Sequence, residues 1–352
     1  MRVIVSKLEE EHLGDAAALI AYEQERAARA HPGLSERYFD PQYCRARLME
    51  LTETHTARVA IAGERVVGML HAARHGAGAN LPSSGCAIAP DLDPDQTTQV
   101  FGALYAAVAS TLVEKGALRH LLEHVAAPCL AQSAASMTFA HSGSWAARRL
   151  RLPSSPSLSP TAPFEIDPAL SVRIGTVDDL DTISRLAMIE VAQRSVPPVY
   201  APPAEETPTR MRQDRAKGLA RGQVHLLARR DGDDIGLLCI ERAREHQRLL
   251  RHDQLYLGPA AVLPHARGTG VGSALLKAAI DWGLERDFEW IGLAFAESNL
   301  LARPFWLRSG FAVTGHVRIR GIHPAYENAE HRSESADAGP PAFSENLGRA
   351  LT

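Results

Sequence analysis

Apolar positions along the chain form two similar rows of short alternating and helical patterns. The first row opens with VIVSKLEEEHLGDAAALI and the second with VRIGTVDDLDTISRLAMI. Each reads as a short strand, an acidic turn and an amphipathic helix. A second helix and a hairpin follow in both. The first hairpin, TARVAIAGERVVGMLHAA, turns at Gly63 and Glu64; the second, QVHLLARRDGDDIGLLCIERA, turns at Asp231, Gly232 and Asp233. Alternation around Gly and Asp is the expected hairpin signal. A strand running into a long helix, another strand, a short helix and a last strand complete each row. The predicted order is β-α-α-β-β-β-α-β-α-β twice. This points to an internal duplication of an α/β fold in which mixed, mostly antiparallel sheets are flanked by helices.

Two segments break the pattern. Residues 152–170, LPSSPSLSPTAPFEIDPAL, are rich in Ser and Pro, which favour neither helix nor ladder. Residues 327–352 offer few apolar groups to bury and read as a disordered tail. The expected organisation is a first domain at 1–151, a linker at 152–170, a second domain at 171–326, and the tail.

Composition narrows the classes. The 352 residues are 45% hydrophobic and 22% charged, enough for two cores without staples. A formal net charge of -3 argues against nucleic acid or anionic membrane as partner. The four cysteines, Cys44, Cys86, Cys129 and Cys239, match no metal-ligand spacing and read as reduced core thiols. No metal is expected. The N-terminus lacks a signal-peptide pattern, and no apolar run approaches a membrane span, so a cytoplasmic protein is expected.

The candidate chemistry sits in QLYLGPAAVLPHARGTGVGSALLKAAIDWGL. A strand ends near Val262, and Arg267-Gly268-Thr269-Gly270-Val271-Gly272 opens a helix. Glycines there let a bulky anion approach unpaired N–H groups at the positive end of the helix dipole. A pyrophosphate suits such a turn. The spacing is not that of a Rossmann fingerprint, the strand follows a hairpin rather than opening a βαβ unit, and no P-loop lysine is present.

Arg267 to Gly272 resembles the Q/R-x-x-G-x-G/A loop of the GNAT acyltransferase family. Asn299-Leu-Leu-Ala302-Arg-Pro-Phe305-Trp306-Leu-Arg-Ser-Gly310-Phe311 is similar to that family's N-x-x-A-x-x-F-Y-x-x-x-G-F segment. The resemblance is strong over the C-terminal half and rests only on element order in the N-terminal half. It implies tandem GNAT-like domains, each with a splayed strand pair, and acetyl-CoA as cosubstrate. In such enzymes pantetheine lies in the splay as an added strand. By this resemblance Ala260, Ala261 and Val262 offer backbone partners. Arg267, Gly268, Thr269, Gly270, Val271 and Gly272 hold the pyrophosphate, Asn299 and Ala302 flank the pantetheine arm, and Phe305 lines the wedge.

Two departures stand out. Trp306 occupies the position where the family often has a tyrosine that protonates the leaving thiolate, and an indole N–H does not titrate usefully. By alternation the substrate-facing side of the splayed strand holds Gln254, Tyr256 and Gly258, none a carboxylate, while Asp253 points away in a regular strand. Glu241 and Tyr256 are therefore the candidate bases, with Glu297 a weaker third. Arg242, Arg244, Arg248 and Arg251 read as a solvated loop that also offers charge to an acidic ligand. Tyr200, Glu205 and Glu206, in a Pro-rich loop, are candidates for covering the acceptor.

The first half aligns DQTTQVFGALY with ARGTGVGSALL, so Gln96, Gln99 and Phe101 replace Arg267, Gly270 and Gly272, and Pro128 falls near the position of Asn299. Side chains there fill the space a phosphate needs, which reads as a degenerate copy. The resulting expectation is an N-acyltransferase that moves an acetyl group from acetyl-CoA to a primary amine of a small molecule, acting as monomer or homodimer. The alternatives are transfer from a longer or acidic acyl-CoA, or a non-catalytic acyl-CoA-binding module.

Overall fold

A computed structural model describes residues 1–52, 56–75, 78–150, 169–199, 207–243 and 248–323. The first half runs β1 (Ile4–Lys7), α1 (Leu13–Ala28), α2 (Pro41–Thr52), β2 (Thr56–Ala62), β3 (Arg65–His75), β4 (Gly78–Leu81), β5 (Cys86–Ile88), α3 (Pro94–Glu114), β6 (Arg119–Val125), α4 (Pro128–Ser136) and β7 (Ala140–Arg149). The second runs β8 (Leu170–Ile174), α5 (Leu180–Arg194), α6 (Pro208–Ala220), β9 (Val224–Arg230), β10 (Asp233–Arg242), β11 (Leu255–Val262), α7 (Val271–Leu284), β12 (Trp290–Ala296), α8 (Ala302–Arg308) and β13 (Ala312–Gly321). The second half keeps the predicted order. The first keeps it with its third strand in two pieces, β4 and β5. Most of residues 152–170, and all of 327–352, lie outside the described residues.

Local chemistry explains the turns. The β9–β10 hairpin turns on Asp231 and Gly232, with φ of 53° and 89°, the left-handed pair that matches strand twist. Gly63, with φ of 63°, does the same work between β2 and β3. Two large apolar clusters follow the halves, one from Leu8 to Phe139 and one centred on β10, β11 and α7. Cys44, Cys86 and Cys239 are buried as expected, but Cys129 is exposed beside the Pro128 that opens α4.

The two sheets are joined into one of 13 strands, because the halves exchange their closing strands. β7, the last strand of the first half, pairs with β12 of the second through Trp290↔Arg149 to Ala296↔Gly143. β13, the last strand of the second half, pairs with β6 of the first through Gly315↔Val125 to Gly321↔Arg119. β13 and β7 also pair with each other, which closes the seam. Ala146 of β7 belongs to the apolar cluster of the second half. Among the described residues, no helix is long and apolar enough to cross a membrane.

A second junction is polar. Arg248, just before β11, is buried in the first half with no side-chain exposure. Its Nε donates to Gln24 Oε1 at 2.7 Å, and one terminal nitrogen donates to the Ser83 and Cys86 carbonyls at 2.9 Å each. The other donates to the Glu23 carboxylate at 2.7 Å and the Ile20 carbonyl at 3.3 Å. Gln24 returns its amide to the Arg248 carbonyl at 3.0 Å. The planar fork of an arginine meets this set of acceptors in a way that a lysine does not. Arg248 thus departs from the expected solvated loop. Arg251 is also largely covered and pairs with Glu36 and Asp253, while Arg242 is exposed with its guanidinium 5.2 Å from the Phe288 ring centre. Replacing Arg248 by Met strands the Glu23 carboxylate and leaves four acceptors short of a donor. Urea unfolding of the Arg248→Met variant is expected to show a loss of about 3–5 kcal/mol; a loss below about 1 kcal/mol would contradict this account of the junction.

Candidate active site

The site begins at a break in the sheet. β11 pairs with β12 in parallel at Leu255↔Ile291, Tyr256↔Gly292 and Leu257↔Leu293, and there the ladder stops, although both strands continue. On its other edge β11 carries a bulge: Leu238 faces Ala260 and Ile240 faces Leu257, so Gly258 and Pro259 share Cys239. Proline has no N–H to give to a ladder, and a bulge bends its strand. The bend turns residues 258–262 away from β12, and the edge of β11 past Leu257 is left without a partner strand.

The gap holds a cavity of about 420 Å³. Ala260, Ala261 and Val262 form one wall, with Arg267, Gly268, Gly270, Val271 and Gly272 at one end. Asn299, Ala302 and Phe305 stand across from them, with Trp306 behind. The residues expected to hold acyl-CoA are thus brought together, apart from Thr269, which does not line the cavity. Its hydroxyl donates to the Ala266 carbonyl at 2.8 Å and accepts from Arg230 at 3.0 Å, so it braces the loop.

The loop is shaped for an anion. Gly268 and Gly270 have φ of 74° and 86°, a region that side chains rarely enter, and a Cβ at Gly268 would meet nothing within 4 Å. Gly270 caps α7, and the backbone N–H groups from Gly268 to Ser273 have no acceptor among the described residues. Arg267 Nε bonds to the Val262 carbonyl at 3.2 Å, which fixes the guanidinium beside the cavity. Unpaired amides, a helix dipole and nearby arginines together fit a pyrophosphate. Phe305 packs over Gly272, where an added Cβ would lie 3.5 Å from its ring.

Asn299 accepts hydrogen bonds from the Leu301 and Ala302 N–H groups at 3.1 and 3.0 Å. Its carbonyl oxygen therefore caps the start of α8, which leaves the amide hydrogens as donors. Trp306 is 8% exposed and packs edge-on against Phe305 and Phe311, at ring separations of 4.8 and 5.6 Å.

Glu241 and Tyr256 are cross-strand partners, but they line a second cavity of about 300 Å³ on the sheet face that carries Trp145. Glu241 accepts a hydrogen bond from Gln223. The Tyr256 ring centre lies 6.1 Å from that of Trp145. Glu123 completes the walls, and burial pushes its carboxyl above the usual carboxylate range. Sequence reasoning missed Glu123 and Trp145 because β6 and β7 were read as parts of the first half alone. Glu297 has a different part. Burial raises its carboxyl, but hydrogen bonds from Ser144 at 2.6 Å and Arg303 at 2.7 Å outweigh that and hold it below the usual range. It ties β12 to β7 and α8. Tyr200, Glu205, Glu206 and Arg244 lie outside the described residues. Among the described residues, no group of three or more His, Cys, Asp or Glu is placed to hold a metal ion.

The corresponding turn of the first half is closed by its own side chains. The Asp93 carboxylate accepts from Gln96 N at 2.7 Å, and Gln96 accepts from Asp93 N at 3.2 Å. This capping box uses the amides that an anion would need. Gln99 donates to the Met1 carbonyl at 3.0 Å, and Phe101 is buried. The gap between β4 and β5 is occupied by Arg248, through its bonds to Ser83 and Cys86.

Residues 187–311 match the model of the acetyltransferase (GNAT) family. Among solved structures, the chain is similar to a GCN5-related N-acetyltransferase from Sphaerobacter thermophilus, with 16% identity and a TM-score of 0.58, covering 92% of this chain and 96% of that one. It is also similar to a tandem GNAT protein from the clavulanic acid biosynthesis pathway, with 16% identity and a TM-score of 0.51, covering 92% and 99%. At these identities the two structures speak for the fold alone. No curated protein matches the chain. The matched segment spans the broken strand, the anion loop and α8, so the C-terminal half of the chain carries a segment of the GNAT acetyltransferase family.

Proposed function

We propose that the chain transfers an acetyl group from acetyl-CoA to a primary amine of a small molecule, in the cavity between β11 and β12. The observation that carries this reading is the unpartnered edge of β11 past Leu257, leading to the open amides of Gly268 to Ser273. That edge accepts a pantetheine arm as an added strand, while the loop takes the pyrophosphate. Bound acetyl-CoA supplies a thioester-activated acyl group; amine plus thioester gives amide plus thiol, so one proton leaves nitrogen and one reaches sulfur. The residues of the chain orient and exclude water. Phe305 and Trp306 wall the wedge, and Asn299 has amide hydrogens to give to the pantetheine arm. Glu241 and Tyr256, next to the closed end of the break, are the groups we assign to receiving the amine proton, directly or through water.

Three outcomes test this. Calorimetry with acetyl-CoA is expected to give about one site per chain, because the Asp93 cap and Arg248 close the counterpart in the first half; two equivalent sites would contradict the reading. Gly270→Glu puts a carboxylate and a Cβ at a left-handed cap, at a backbone cost of about 1–2 kcal/mol. It is expected to abolish acetyl-CoA binding with the fold kept, and binding within about threefold of the parent, near 0.6 kcal/mol, would refute the loop assignment. Trp306→Phe is expected to keep turnover within about tenfold, or 1.4 kcal/mol. A thiol near pKa ~8.5 leaves tolerably without a dedicated acid, and the indole acts by packing. Thiol-release rates from pH 6 to 10 on a panel of amines read this out. A loss beyond a hundredfold with folding and cofactor binding intact would assign Trp306 a chemical role.

A further inference from the structure

The second cavity is built by both halves of the chain. Glu241 lies opposite Tyr256, Tyr256 opposite Gly292, and Gly292 opposite Ala147. Trp145 is two residues from Ala147 and so faces the same side. It lies opposite Gly315, Gly315 lies opposite Val125, and Glu123 is two residues farther along β6. The strand exchange therefore puts a carboxylate of the first half and one of the second on a single sheet face, around a cavity of about 300 Å³.

This cavity has the marks of a binding site. Trp145 is 9% exposed and lines it, with its indole N–H directed to the Glu123 carboxylate. Glu123 forms no ion pair among the described residues, although it is largely covered. Hydrogen bonds from Trp145 and the Ser83 backbone offset only part of its burial, and a cation beside it supplies the rest. Arg242 also borders the cavity, but its guanidinium lies over Phe288. The sheet face beside Trp145 is open to solvent. Ala294, its cross-strand partner, is exposed although β12 is an interior strand. Tyr256 stands two residues before Gly258, where the break starts, so the cavity lies by the closed end of the wedge.

We infer that the acceptor binds in this composite cavity as a small cationic alkylamine, with Glu123 of the first half and Glu241 of the second receiving its ammonium group. The inference rests on the acyl-transfer reading above, and adds that the first half supplies a residue that selects the acceptor. At the small end of ligand cavities, the space suits a short aliphatic amine and excludes a polypeptide chain.

The test uses the full chain saturated with CoA, titrated calorimetrically with n-butylamine hydrochloride and, as a neutral match in shape, n-butanol. The expected result is that n-butylamine binds, that Glu123→Gln weakens it at least tenfold, about 1.4 kcal/mol, and that Glu123→Asp restores it to within about threefold of the parent. Binding of n-butanol is expected to be the same in all three proteins. In thiol release, Glu123→Gln is expected to raise KM for the amine while KM for acetyl-CoA stays within about twofold. A parent that does not bind n-butylamine, or a Glu123→Gln protein that binds it as tightly, overturns the inference. Binding with no amide formed from any amine overturns acyl transfer and leaves the cavity standing. Amide formation with an unchanged amine KM in Glu123→Gln overturns the cavity and leaves acyl transfer standing. Should Glu123→Gln fail to fold, Leu250→Phe fills the cavity from one of its walls, and an unchanged amine affinity in it overturns the inference equally.

Discussion

The exchange of closing strands is the constraint on which the rest of the structure depends. β13 sits between β6 and β7, and β7 sits between β13 and β12. Neither half has a complete sheet without a strand from the other. The main-chain groups of these strands must be paired once buried, so the relative placement of the halves is fixed by hydrogen-bond register rather than by surface packing. Arg248 fixes it again from the opposite direction, by carrying the loop before β11 into the first half. The second cavity exists only because of both: β6 and β7 supply Glu123 and Trp145, while Leu250 of the Arg248 loop covers them.

Within that frame, one short sequence creates the cavity between β11 and β12. Gly258 and Pro259 interrupt β11 on both edges, one by a bulge and the other by losing β12. From Gly268 on, the chain uses left-handed glycines to turn unpaired amides toward the opening so created. The free strand edge and the free helix end are two unsatisfied backbone surfaces at the ends of one cavity. Together they present donors, acceptors and the positive end of a helix to that cavity.

Element order and the anion loop were legible in the sequence, since both depend on local pattern. Glycines at Gly268, Gly270 and Gly272 and the Asn299 to Phe305 spacing announce themselves within a few residues. The strand exchange was not legible: periodicity says which face of a strand is buried, but not which strand lies beside it. This is why Glu123 and Trp145 were missed, and why β7 could be read only as the end of the first half. Arg248 was misjudged for another reason. A loop arginine among histidines and arginines looks solvated, and only the fold reveals acceptors from Ile20 to Cys86 around it. Alternation along β11 puts Tyr256 on the face opposite to that of Leu257, and the structure keeps that parity because the bulge comes only after Leu257.

The exchange also imposes an order of assembly on a chain made from its N-terminus. Arg318 bonds to His124 from 194 positions away. When β6 and β7 have been synthesised, the strand that separates them does not yet exist. They are near neighbours in sequence and able to pair with each other, as in a single-domain fold, before β13 arrives. Pairing between distant segments is slow because loop closure precedes its reward. If β6 and β7 pair first, insertion of β13 opens that seam. The second half thus completes its sheet with β7, a strand of the half made first, while the first half waits for β13, the last strand made.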